Sequence, residues 1–281
     1  MLSKLIKHEF RATARTMLPI YAVVAALTLL ANLSLTVMGR TNVSGFQNRL
    51  LNFLLGLVVF AFGVSLLAVA VVTGVMMLQR FYRNLLKNEG YLMHTLPVTV
   101  HEQIWSKLLV SLVWFAATVL VILLALFLTG FLQSDADLGE MFSKLPDAFK
   151  EFRELLREAG VRPGQLILLG LELMVGGLLA AAVLCLHFYS AMALGHMFSK
   201  NKVVLSVVFF LGINFLLRVV STAAALMVLR IDYLDTELWG AAENFSFLSL
   251  LLLRGLFIEA AEGIVLYLLT LLGLKRGLNL E

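Results

Sequence analysis

Six apolar stretches, each about as long as a bilayer is thick or longer, leave this chain few folds to choose from. They run over 17–38, 50–78, 104–132, 165–198, 203–229 and 247–274. A hydrocarbon core about 30 Å thick takes roughly 20 apolar residues per helical crossing. Backbone polar groups in lipid must be satisfied within the segment, so each stretch is expected to be a transmembrane helix. The expected fold is therefore all-α: one polytopic membrane domain over 1–281, with six crossings. The sequence is 60% hydrophobic and only 14% charged, far from the balance of a soluble domain.

The charges assign the sides. An even number of crossings puts both termini together. The side of the termini carries twelve basic residues: Lys4, Lys7, Arg11, Arg15, Arg80, Arg83, Lys87, Lys107, Lys200, Lys202, Lys275 and Arg276. The other side carries eight, from Arg40 to Arg230, and most of the acids. Positively charged loops stay inside, so both termini are expected to be cytoplasmic, in a multi-pass protein of the cell membrane. The net charge of +4 is then a matter of topology, and its spread over membrane-flanking positions argues against a nucleic-acid partner. No cleavable signal peptide is evident, because the first apolar run is too long. The single Cys185 falls inside the fourth stretch and reads as a packing residue.

Residues 1–16 read as an amphipathic surface helix. Leu2, Leu5, Ile6, Phe10 and Thr13 share one side, and Lys4, Lys7, His8, Arg11 and Arg15 the other, a pattern that floats on anionic headgroups. Pro19 offers a bend before the first crossing. Glu9 breaks the pattern by projecting from the apolar face. It either snorkels to water or pairs with a cation such as Arg80 or Arg83.

The segment 80–103 is the most informative loop. Gly90 and Pro97 punctuate it, and Thr99 with Glu102 has capping-box spacing ahead of the third crossing. Between them lie Tyr91, Leu92, Met93 and Leu96, apolar residues on a short turn that must either tuck under the bundle or dock on a partner.

Five ionisable residues fall inside the crossings: Glu172, Arg218, Arg254, Glu259 and Glu262. At 1.5 Å per residue, Arg218 and Glu259 each lie roughly 16 Å below the outer surface, and Glu172 and Arg254 about 10 Å. Similar depth suggests Arg218 paired with Glu259 or Glu262, and Arg254 with Glu172. Such pairs are either clamps between helices or part of a polar path or gate. Outside the membrane, 133–164 is too polar to cross. Its apolar residues recur every three or four positions, which predicts an external amphipathic segment interrupted at Pro146, either a lid or a surface helix.

No phosphate-binding Gly-x-x-x-x-Gly-Lys-Ser/Thr loop, zinc helix or nucleophile elbow is present, so an enzyme is not expected. His187 and His196 are isolated, and read as packed or interfacial.

The opening Lys7-His8-Glu9-Phe10-Arg11, the stretch Glu89-Gly90-Tyr91-Leu92-Met93-His94-Thr95-Leu96-Pro97-Val98 and the following Ser106-Lys107-Leu108-Leu109 resemble small bacterial permeases of the type-two ATP-binding-cassette (ABC) transporters. The resemblance extends over nearly the whole chain, in the order surface helix, two crossings, large cytoplasmic turn, four crossings. It implies that 1–16, with His8, Glu9, Phe10 and Arg11, is a connecting helix. It also implies that the turn carrying Glu89, Gly90, Tyr91, Leu92, Met93, His94, Leu96 and Pro97 is a coupling helix that docks on a separate ATPase. ATP and magnesium would be held by that ATPase, with no cofactor in this chain. A second permease, identical or related, would complete the path, and the cargo would be a peptide or other amphipathic compound. Two other classes stay open: an ion-coupled secondary carrier using the buried charges as a relay, and a non-transporting membrane sensor or immunity component.

Overall fold

A computed structural model of the protein describes residues 2–40, 46–86, 97–133, 162–198, 200–234 and 245–275, with scattered positions between 143 and 157. These residues form α1 (Leu2–Arg40), α2 (Phe46–Phe81), a π-helical turn (Tyr82–Leu86), α3 (Val100–Gln133), α4 (Pro163–Gly195), α5 (Lys202–Leu234) and α6 (Phe245–Lys275), with no strand among them. Each of the six long helices is long and apolar enough to cross a membrane. Their flanks expose large apolar side chains such as Phe257, three-quarters accessible at 75%, which water would disfavour and lipid accommodates. The pattern is that of a multi-pass membrane protein.

Helix ends follow local chemistry. The Thr99 amide donates to the Glu102 carboxylate at 3.0 Å, and the Glu102 amide donates to the Thr99 hydroxyl at 3.3 Å, so the expected capping box starts α3. Pro163 occupies the first turn of α4, where its missing N–H is harmless. Asn201, at φ 55°, turns the chain into α5 in a conformation that Asn tolerates better than most residues.

Residues 1–16 were expected to form a separate surface helix. Instead Leu2–Thr16 continues without a break into the first crossing, with Pro19 inside the helix. At 39 residues α1 is about 58 Å long. The reason is packing: Glu9, Thr13 and Met17 lie at four-residue spacing on a buried face, whereas Pro19 points outward.

The chain divides into two compact units, Met1–Met77 with Leu109–Ser143, and Leu78–Leu108 with Lys144–Glu281. In the first, α1, most of α2 and most of α3 enclose a core of Met17, Met77, Val110 and Trp114. A row of hydrogen bonds runs beside it. Trp114 Nε1–H donates to Thr13 Oγ1 (2.8 Å), the Tyr21 and Thr118 hydroxyls meet at 2.7 Å, Thr118 meets Thr73 at 2.9 Å, and Asn32 Nδ2 donates to Thr129 (3.3 Å). Polar contacts of this kind, with small side chains between them, join helices where no hydrophobic effect separates lipid from protein.

In the second unit α4 packs against α5 and α6. The helices close tightly at one end. A Cβ on Gly195 would collide with the backbone of Ser206 on α5, and one on Gly273 with the side chain and backbone of Ala193 on α4. Further along, Gly177 and Gly255 face open space, with no atom within 4 Å of a built Cβ. Toward Glu172, α4 and α6 stay close, since a Cβ on Gly176 would lie 3.3 Å from Leu256, and a cavity bordered by both helices and by Ser221 and Thr222 of α5 lies beside them.

Candidate functional site

The second unit holds two features that chemistry could use: the flanks of the 87–96 loop and a polar seam along α4, α5 and α6. The loop itself, with Glu89, Gly90, Tyr91, Leu92, Met93, His94 and Leu96, lies outside the described residues, and Pro97 is exposed at its edge.

Both flanks of that loop are seated on α4 and α6 through rings. On the leading side, Phe81 and Tyr189 are both fully buried, and their rings stack with centroids 3.8 Å apart and planes 7° apart. The π turn follows at once, burying Asn84, Leu85 and Leu86. Its Tyr82 meets the edge of the His196 ring at 5.4 Å. On the trailing side, His101 Nδ1 lies 2.5 Å from the Tyr267 hydroxyl on α6, and Trp105 sits 6.0 Å from the same ring. Single π-helical turns concentrate at functional positions, since the extra residue re-aims the chain that follows. Here the turn stands immediately before the loop.

His196 is buried at the end of α4. Its Nδ1–H donates to the Met192 carbonyl at 2.8 Å, which fixes the tautomer. Burial holds its pKa below the ordinary imidazole value; nearby Lys202 adds to this, and the bond to Met192 opposes it.

The seam runs through two adjoining cavities. One, about 530 Å³, is lined by Glu172, Glu259 and Glu262 among apolar residues such as Leu256 and the glycines 176, 177 and 255. The other, about 300 Å³, is lined by His187, Asn214, Arg218, Glu259 and Glu262. Ser221, Glu259 and Glu262 belong to both. Among the described residues neither Arg218–Glu259 nor Arg218–Glu262 closes to an ion pair within 4.0 Å; the three side chains share a cavity instead.

The suggested pair of Glu172 with Arg254 does not form. Glu172 is 5% exposed and takes its hydrogen bond from the Ser249 hydroxyl at 2.5 Å. The reason is stagger. Glu172 stands nine residues into α4, whereas Ser249 stands four into α6, so the helix ends are offset by about 7.5 Å and Arg254 lies deeper. The second carboxylate oxygen of Glu172 is buried with no hydrogen-bond partner, as is His187 Nε2. Ser249 was not singled out from the sequence, where a serine in an apolar run gives no signal of its own.

On α1, Glu9 is buried on the inward face, as its position in the helical pattern implied, and Phe10 stacks on Trp114 at 5.0 Å. His8 and Arg11 are exposed on the opposite side. In the 143–157 region the described residues are helical, and Phe152 and Leu155 are exposed.

No protein-family model, no curated protein and no solved structure matches this chain. The reading of its function therefore rests on its own residues.

Proposed function

We propose that this chain is the membrane-spanning subunit of an ATP-driven ABC exporter of type-two architecture, set in the cell membrane with both termini cytoplasmic. A separate ATPase binds ATP and magnesium and drives it through the turn 80–103, and a second permease completes the path. Support comes from the ordered motifs around Glu9, Tyr91–Pro97 and Lys107, from the six crossings, and above all from the ring contacts that flank the loop. Phe81 on Tyr189, Tyr82 on His196 and His101 on Tyr267 tie the two ends of the loop to α4 and α6, the helices that line the acidic cavities. Force applied to the loop would reach those helices directly. Packed elements respond by shifting as bodies, not by deforming continuously.

The chain carried out of native membranes on an affinity tag is expected to bring an ATP-hydrolysing protein with it. Replacing Tyr91, Leu92 and Leu96 by aspartate should release that protein. If none co-purifies, or if it stays bound to the triple variant, the reading fails.

A second reading, an ion-coupled carrier, is favoured by one observation: three carboxylates and one guanidinium line two adjoining cavities within the crossings. It requires the chain alone, in liposomes, to dissipate a proton gradient without nucleotide.

A further inference from the structure

We propose that the cavity between α4, α5 and α6 is a binding site for an amphipathic organic cation. The wall is apolar, formed by side chains such as Leu252 and Leu256 and by the backbone faces of Gly177 and Gly255. The polar groups are predominantly acidic: Glu172, Glu259 and Glu262 against the guanidinium of Arg218, which lines the adjoining cavity with the same Glu259 and Glu262. A charge inside a membrane bundle persists only if it is compensated or meets water. Among the residues lining the two cavities one guanidinium, that of Arg218, faces three carboxylates, and no ion pair among the described residues engages Glu259 or Glu262.

Glu172 supplies an independent sign. It lines the cavity, is about nineteen-twentieths buried, and has one oxygen satisfied by Ser249 while the other is buried with no hydrogen-bond partner. An unsatisfied buried acceptor of this kind is costly unless a donor or cation arrives. A volume of about 530 Å³ falls within the range of small-molecule sites and exceeds what a bare ion needs. Among the described residues no three acidic, histidine or cysteine groups converge tightly enough to hold a metal ion. Size, apolar wall and acidic lining together fit a cation with a bulky hydrophobic body.

Taking this occupant as cargo rests on the exporter reading; the binding itself does not. The test uses the full chain in lipid nanodiscs, with empty nanodiscs as background, and two probes of one shape and opposite charge, tetraphenylphosphonium and tetraphenylborate, measured by equilibrium dialysis. Saturable binding of the phosphonium in preference to the borate is expected. Glu259→Gln should weaken it roughly ten- to a hundredfold, the change for losing one charge about 6–12 Å from the cation at an effective dielectric near 20. Glu172→Gln should do the same. If that variant does not fold, Gly177→Leu decides, because its side chain enters open space and blocks the cavity without removing a charge. Equal binding of the two probes, or phosphonium affinity unchanged by Glu259→Gln and Gly177→Leu, would overturn the proposal. Neither nucleotide nor a second protein is involved. Phosphonium binding without ATPase capture would end the exporter reading alone, and ATPase capture without phosphonium binding would end this one alone.

Discussion

The stack of Phe81 on Tyr189 is the firmest of the contacts that hold the loop flanks, and its removal has a calculable consequence. Both side chains are 0% exposed, and their planes are 7° from parallel at 3.8 Å. Phe81→Ala empties an enclosed site and is expected to destabilise the fold by about 3–5 kcal/mol. Of this, about 0.5–1.5 kcal/mol belongs to the ring pair itself. A double-mutant cycle with Phe81→Leu and Tyr189→Leu isolates that share, because each leucine keeps much of the volume and removes the stack. The measurement is reversible unfolding of the purified protein in mixed micelles, followed by helical circular dichroism. An interaction energy within that range is expected. Under the exporter reading the leucine variants should also keep ATPase binding but lose dependence of transport on hydrolysis. Strict additivity of the two leucine substitutions, or a Phe81→Ala variant as stable as the parent, would refute the claim that this contact seats the turn.

Three further outcomes follow from the packing. Gly195→Ala should destabilise by about 1–3 kcal/mol, because its Cβ falls on the Ser206 backbone, whereas Gly177→Ala should leave thermal stability unchanged in the same scan. Trp114→Phe keeps a ring against Phe10 but leaves Thr13 without its indole donor, so a loss of about 0.5–1.5 kcal/mol is expected in micelle unfolding. His196 has a folded pKa below its ordinary value, so the stability it contributes is complete above about pH 6.5 and is lost as pH falls through the lowered folded value. His196→Gln should flatten that part of the stability-versus-pH curve, and an unchanged curve would assign the acid sensitivity elsewhere.

The crossings were legible because length and apolarity act on each segment alone. The expected starts at 104, 165, 203 and 247 lie within four residues of Val100, Pro163, Lys202 and Phe245. The capping box at Thr99 was legible for the same reason, since its partner is three residues away. What depends on how helices are staggered was not. Depths counted from helix ends placed Arg254 level with Glu172, whereas the offset between α4 and α6 gave that place to Ser249. The continuity of α1 through Pro19 was hidden too, because the face it buries meets a partner a hundred residues away, Trp114, whose indole N–H donates to Thr13. The row of Thr13, Tyr21, Thr73, Asn32, Thr118 and Thr129 left a trace in the eight- and eleven-residue spacing of polar side chains along α1 and α3, the one signal by which it could have been found.

The central claim is that the loop flanked by these ring contacts receives force from a separate ATPase. A photo-activated cross-linker placed at Leu92, with one at the exposed Phe257 within the sixth crossing as the control, tests it in native membranes. The account predicts that Leu92 captures an ATP-hydrolysing protein and that Phe257 captures none. Cross-links from Leu92 only to this chain's own helices, or to lipid, would contradict it.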